Sequence, residues 1–182
     1  MSVLNRAWRS VALTAVLAAA VVLGGLGQPP ADQASVAVGT VTSVYDGDTF
    51  TVDWISGAET IPGGRADVRP YLIDAPERGS ECYWEPARSY ARQLLKGQTV
   101  WVYHWGRTSG DRVLGFVYLD PERQSWLGAM LVSQGFAPLH EDAAEFAATQ
   151  IPNGQGRAFL SLLEDMEDNA RGDDRGLWRE CR

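Results

Sequence analysis

Apolar and polar residues alternate on a two-residue period from Gly39 to Tyr45 and again from Thr49 to Ile55, with Asp46-Gly47-Asp48 between them. Two β-rich runs around an Asp/Gly turn predict a hairpin or a sharply bent strand pair. Asp67–Ile73 alternates in the same way and predicts a third strand, which Pro76 stops just after Asp74. On that period Arg69, Tyr71 and Ile73 share one face, and Asp74 leaves at the strand-to-loop corner. The intervening residues 56–66, with three glycines and Pro62, read as a long exposed loop. Gln98–Trp105 and Arg112–Leu119 supply the fourth and fifth strands, with a turn over 106–111.

The period changes to a helical one in three places. Glu85–Lys96 carries Ala87, Tyr90, Ala91, Leu94 and Leu95 at helical spacing, and Gly97 is a natural stop. Ser125 is placed to cap a helix over Trp126–Gln134 that Gly135 ends. After a polar stretch, 140–155, a third helix over Arg157–Ala170 shows a stripe of Phe159, Leu160, Leu162, Leu163 and Met166. Leu177-Trp178 is expected to fold back on the body. No repeat or second composition block interrupts this, so one domain runs from about residue 38 to the end. The element order is that of a small Greek-key barrel of the oligonucleotide/oligosaccharide-binding (OB) type, although a mixed α+β sandwich gives the same string.

The amino end has a different character. Arg6 and Arg9 precede an uncharged apolar run, residues 11–27, and a Pro-containing linker. Residues 1–35 therefore read as a signal peptide or an N-terminal membrane anchor plus linker, with Ser35-Val36-Ala37 the nearest small-x-small site. The expectation is an exported protein, either secreted or tethered through residues 11–27 and facing outside. Residues 36–182 form the domain. Cys82 and Cys181 are the two cysteines, and in an exported chain they suit one disulfide. Zinc is the weaker alternative, because His104 and His140 lack ligand spacing, and free thiols fit a cytosolic domain.

Charge narrows the partners. The formal net charge is -7, from 16 basic and 23 acidic residues. Removing 1–35 takes away Arg6, Arg9 and Asp32 and leaves 14 against 22, or -8. Such a protein does not hold nucleic acid by bulk electrostatics, so any phosphate must be met by a local cluster and a metal. Lys96 is the sole lysine, so nearly all positive charge is guanidinium, suited to bidentate phosphate contacts.

Three separated segments bring such a cluster. Asp48 comes from the hairpin turn and Asp74 from the end of the third strand. Two carboxylates at adjacent strand corners make a hard-oxygen pocket for calcium or magnesium. Arg69 and Arg112 offer forks for non-bridging phosphate oxygens, and Glu77, past the proline, is free to activate a water. Taken singly, Asp46 and Asp48 are ordinary turn formers, Glu77 is a solvated loop charge, and Arg112 pairs with Asp111 or a surface acid. Their joint order is what favours chemistry.

Asp46-Gly47-Asp48-Thr49, then Val68-Arg69-x-x-x-Ile73-Asp74-Ala75-Pro76-Glu77, then Asp111-Arg112-x-Leu114-Gly115-Phe116-Val117-Tyr118 resemble the signature blocks of the thermonuclease family of staphylococcal nuclease-like domains. Leu131–Ala137 and Arg175-Gly176-Leu177-Trp178 extend the resemblance over nearly all of 38–182. It implies a five-stranded OB-fold Greek-key barrel with three helices, an α+β protein. It also implies calcium-dependent hydrolysis of DNA and RNA that leaves 3′-phosphate ends. By position, Asp48 and Asp74 resemble the metal ligands, with the Ala75 carbonyl a third, and Asp46 the acidic residue behind them. Arg69 and Arg112 resemble the phosphate-binding arginines and Glu77 the general base. The alternative is a weakly active or inactive OB-fold module that binds nucleic acid or protein, though no feature indicates a protein partner.

Departures from the family pattern set further expectations. The domain is acidic where well-known members are basic, which predicts modest, salt-sensitive affinity. Pro70 follows the strand arginine where an apolar residue is usual. Asp111 stands where glycine is common. Pro138-Leu139-His140-Glu141 replaces the tyrosines that stack on a base, leaving Trp54, Trp105 or Tyr83 as substitutes.

Overall fold

The computed structural model describes residues 34–61, 63–106 and 108–181. The expected leader and tether fall outside these except for Ala34 and Ser35. No helix among the described residues is long and apolar enough to cross a membrane. Along the chain lie β1 (Ser35–Val44), β2 (Phe50–Ser56), β3 (Arg65–Pro70), α1 (Trp84–Leu95), β4 (Thr99–His104), β5 (Thr108–Ser109), β6 (Arg112–Tyr118), α2 (Leu127–Ser133), α3 (Ala143–Thr149), a 3-10 turn (Pro152–Gly154), α4 (Gly156–Gly172) and α5 (Leu177–Glu180).

Strands pair in the order β3-β2-β1-β4-β6, and β3 closes onto β6 in parallel to complete a five-stranded OB-type barrel. β5 is a two-residue addition that folds back on β6, where a turn was expected. In β1, Ala37 and Val41 face inward on the expected period. A register shift between Val41 and Ser43 then inserts one residue, so that Val44 faces inward next. That bulge bends the strand end toward the 46–48 turn. Gly115 lets β6 approach β4, since a Cβ there would lie 2.9 Å from the Tyr103 carbonyl.

The third strand ends earlier than its alternation predicts. Leu72 takes a left-handed backbone, φ 70°, and Tyr71, Leu72 and Ile73 are all buried. The alternating face therefore stops at Pro70. Ile73 pairs instead with Leu139 in a single bridge, and Asp74 N donates to Pro138 O at 3.0 Å. Ser125 is not a helix cap either. Its N–H goes to Asp120 Oδ2 at 2.6 Å, its carbonyl accepts from Leu119 N, and Trp126 holds the cap position without a side-chain bond. Among the described residues two short helices join the three expected ones, since α3 forms inside the stretch read as polar and α5 forms from the closing Leu177-Trp178.

Helix α1 buries Ala87, Ala91 and Leu95, spaced four apart, against the sheet. On the opposite side Phe116 is the hub of the helical layer, with its ring near Tyr71, Trp105, Trp126 and Phe159. Gly135 and Gly176 meet backbone to backbone, for a Cβ on Gly176 would lie 2.2 Å from Gly135 O. This close approach brings the carboxyl end back to the body, as does Leu177 N donating to Gly135 O. Cys82 and Cys181 are bonded, with Cα atoms 5.8 Å apart and a sequence separation of 99. A bridge across so long a loop contributes about 2–4 kcal/mol, chiefly by restricting the unfolded chain.

One buried group contributes an acid-sensitive part of the barrel's stability. His104 is 0 % exposed, its Nδ1 accepts from Gly106 N, and its Nε2 has no partner. Burial pushes its pKa below the ordinary histidine value of 6.5. The folded state keeps the ring neutral while the unfolded chain takes up a proton, so stability present above about pH 6.5 is lost as pH falls. Chemical denaturation at pH 7 and pH 5 isolates that loss when parent and His104→Asn are compared, because the raised Asp48 carboxyl acts in the opposite direction in both: on acidification the variant should lose less stability than the parent. An unchanged slope in the variant would contradict the assignment.

Candidate active site

The 46–48 turn is built by its own side chains. Asp46 Oδ1 accepts from Asp48 N at 3.0 Å and from Thr49 N at 2.6 Å. Its carboxylate is thereby committed to shaping the turn. Asp48 then points inward at 2 % exposure. Its Oδ1 accepts from the Thr49 hydroxyl at 3.1 Å and its Oδ2 from Ala75 N at 2.6 Å. Gly47 makes this docking fit, because a Cβ there would lie 2.6 Å from Ala75 Cβ and 3.1 Å from Ala87 Cβ. Gly47→Ala is expected to cost about 1–3 kcal/mol by overpacking and to pull Asp48 off Ala75. Thermal unfolding of the variant against the parent checks it.

Arg69, 12 % exposed at its side chain, lies between two carboxylates. Its Nη2 is 3.6 Å from Asp48 Oδ2 and donates to Asp74 Oδ1. Asp74 is 41 % exposed at its side chain, so it opens the corner to solvent. The segment carrying it is braced from behind. His140 N donates to Leu72 O at 2.9 Å, and Leu139 N to the buried Glu167 Oε1 at 2.8 Å.

The electrostatics are those of a site short of positive charge. Two carboxylates, Asp48 and Asp74, flank one guanidinium, and a third, Asp46, acts on Asp48 from behind. Burial pushes the Asp48 carboxyl up to about 7, Arg69 opposes this, and Asp46 and Asp74 add to the rise. A divalent cation would reverse that penalty. Among the described residues no three His, Cys, Asp or Glu side chains stand together as a ready metal cluster. The available donors are two carboxylates, Asp48 and Asp74, and the Ala75 carbonyl beside them. An all-oxygen set that leaves room for water fits calcium or magnesium rather than zinc.

Arg112 lines the same pocket as Arg69, a cavity of about 120 Å³ with Tyr71, Ser109, His140 and Phe146 in its wall. Register explains the meeting, since β3 and β6 run parallel with Asp67 opposite Arg112 and Arg69 opposite Leu114. Arg112 Nε donates to Ser109 O at 3.4 Å; the alternative ion pair with Asp111 does not form. Glu77 lies past Pro76 on the surface. Its N–H donates to Glu81 Oε2 at 2.9 Å, and its carboxylate has no partner among the described residues. The fold thus joins Asp46, Asp48, Arg69, Asp74 and Ala75 by direct contacts, sets Arg112 across the pocket, and leaves Glu77 exposed near the corner.

The substitutes expected for base stacking are elsewhere. Tyr83 stacks on Phe136, Trp105 packs on Tyr71 and Phe116, and none of Trp54, Trp105 and Tyr83 lines the pocket. Two ring side chains in that wall that sequence reasoning did not assign are His140 and Phe146, whose rings lie 5.0 Å apart. The signal was positional, as both follow Ala137, where the family pattern has its tyrosines.

A comparison with curated proteins finds no match. The family described as staphylococcal nuclease homologue matches residues 67–180, a span that holds Arg69, Asp74, Ala75, Glu77 and Arg112. Asp46 and Asp48 precede that span and join it through the barrel. On this match, which covers more than half of its length, the chain belongs to the staphylococcal nuclease homologue family.

Proposed function

We propose that this protein is a calcium-dependent phosphodiesterase that hydrolyses DNA, RNA or both and leaves 3′-phosphate ends. The observation that carries the reading is the convergence of Asp48 and Asp74 on one guanidinium, Arg69, with a second guanidinium across the same cavity. Asp48, Asp74 and the Ala75 carbonyl would hold the ion, with magnesium the alternative. Bound there, it supplies Lewis acidity and neutralises phosphate charge. Both carboxylate contacts of Arg69 use Nη2, so its remaining donors are free for a phosphate oxygen. Arg112 meets another oxygen, and the pair stabilises the charge that grows at phosphorus in the transition state. Glu77 takes the proton of the attacking water, the new P–O bond forms, and the 5′-oxygen departs with its electron pair.

Incubation of supercoiled plasmid with the protein should give relaxed and linear forms in calcium and none with a chelator. Unchanged plasmid at saturating calcium would leave the second reading, a binding module of the same fold. The acidic balance and the absent stacking tyrosines favour that reading. The basic-apolar amino end further supports export of the domain, with residues 1–35 as a cleaved signal or a tether.

A further inference from the structure

Tyr45 and Ile55 are the large apolar side chains standing exposed among the described residues. Tyr45 is 55 % exposed and immediately precedes the turn that shapes Asp48. It is also not alone. The Arg78 guanidinium lies 5.4 Å from its ring centre, and Arg88 Nε, from α1, donates to its carbonyl at 2.9 Å. Arg78 directly follows Glu77. The trio therefore touches the candidate site from both sides, one residue from Asp46 and one from Glu77, yet it shares no residue with the Arg69–Arg112 pocket.

Arg65, Arg69, Arg171, Arg175 and Arg179 each face a carboxylate. Among the described residues neither Arg78 nor Arg88 does. Two guanidiniums not held in ion pairs therefore stand beside an exposed aromatic ring, on a protein of net charge -7. An aromatic face and an arginine plane accept any base by stacking, and a nearby guanidinium holds the connecting phosphate.

We propose that Tyr45, Arg78 and Arg88 form a second nucleotide subsite, which receives a residue of single-stranded nucleic acid flanking the scissile phosphate. The base stacks on Tyr45 and Arg78, and Arg88 pairs with a phosphate through the nitrogens not used on the Tyr45 carbonyl. This rests on the nuclease reading for its place beside the scissile bond, but its binding chemistry is separately measurable. It supplies affinity that the acidic surface does not, and it makes recognition depend on strand length.

The test uses the full chain and fluorescein-labelled dT8 and rU8, with binding read by anisotropy in chelator, where no cleavage runs. Tyr45→Ala and Arg78→Ala should each raise Kd about 5- to 100-fold, and Tyr45→Trp should restore binding. A loss on dT8 alone or rU8 alone would support the subsite and name its nucleic acid. In calcium, the kcat/KM ratio of dT8 to dT2 should fall about tenfold in the alanine variants. If the parent cleaves nothing, the nuclease reading fails while anisotropy still decides the subsite. No binding by the parent, equal Kd in parent and alanine variants, or equal loss on dT2 and dT8 would overturn it.

Discussion

Replacing Glu77 by glutamine should slow calcium-dependent cleavage by about two orders of magnitude or more while leaving the fold as stable as before. The glutamine side chain has the same shape but cannot take a proton from water. Nothing in the fold depends on the carboxylate, because Glu77 is exposed and the local hydrogen bond runs from its backbone N–H to Glu81. Activity and stability should therefore separate cleanly in this variant. Initial rates on plasmid and on a dinucleotide, read alongside thermal unfolding, make the measurement. An equal rate would remove Glu77 from the mechanism and leave water activation to another group.

Arg69 should behave differently, because on the proposed mechanism it is both structural and chemical. Arg69→Ala leaves Asp48, at 2 % exposure, beside Asp46 and Asp74 with no cation. Removing one partner of a buried pair costs about 3–5 kcal/mol when the remaining charge cannot escape. Here Asp48 can take up a proton, so the loss should be smaller. Arg69→Lys keeps the charge but loses the planar fork. It should preserve most of the stability and still lose about 100-fold in kcat, the scale of one removed transition-state donor. A lysine variant with parental kcat would show that Arg69 only holds the carboxylates in place.

Much of the barrel was legible because each strand carries its own two-residue period. The corner of Asp48, Arg69 and Asp74 was legible because its spacing lies within short segments. What escaped was set by distant partners. Leu72 turns left-handed so that Ile73 can meet Leu139, 66 residues further on, and no local pattern in Asp67–Ile73 announces it. Helix α3 buries only Ala143 and Ala147, too small a stripe to stand out from a polar stretch. Ser125 looks like a cap until Asp120 claims its N–H. His140 and Phe146 reach the pocket because the 138–140 segment is paired to the site strand and tied to Glu167 on α4. That arrangement exists only in three dimensions.

The claim beneath all of this is that Asp48 and Asp74 share one hard cation. Calorimetric titration of calcium into the metal-free protein addresses it directly, with Asp48→Asn and Asp74→Asn run beside the parent. One site per chain, lost in both variants, is the predicted result. No heat of binding in the parent, or a site that survives both substitutions, would contradict it.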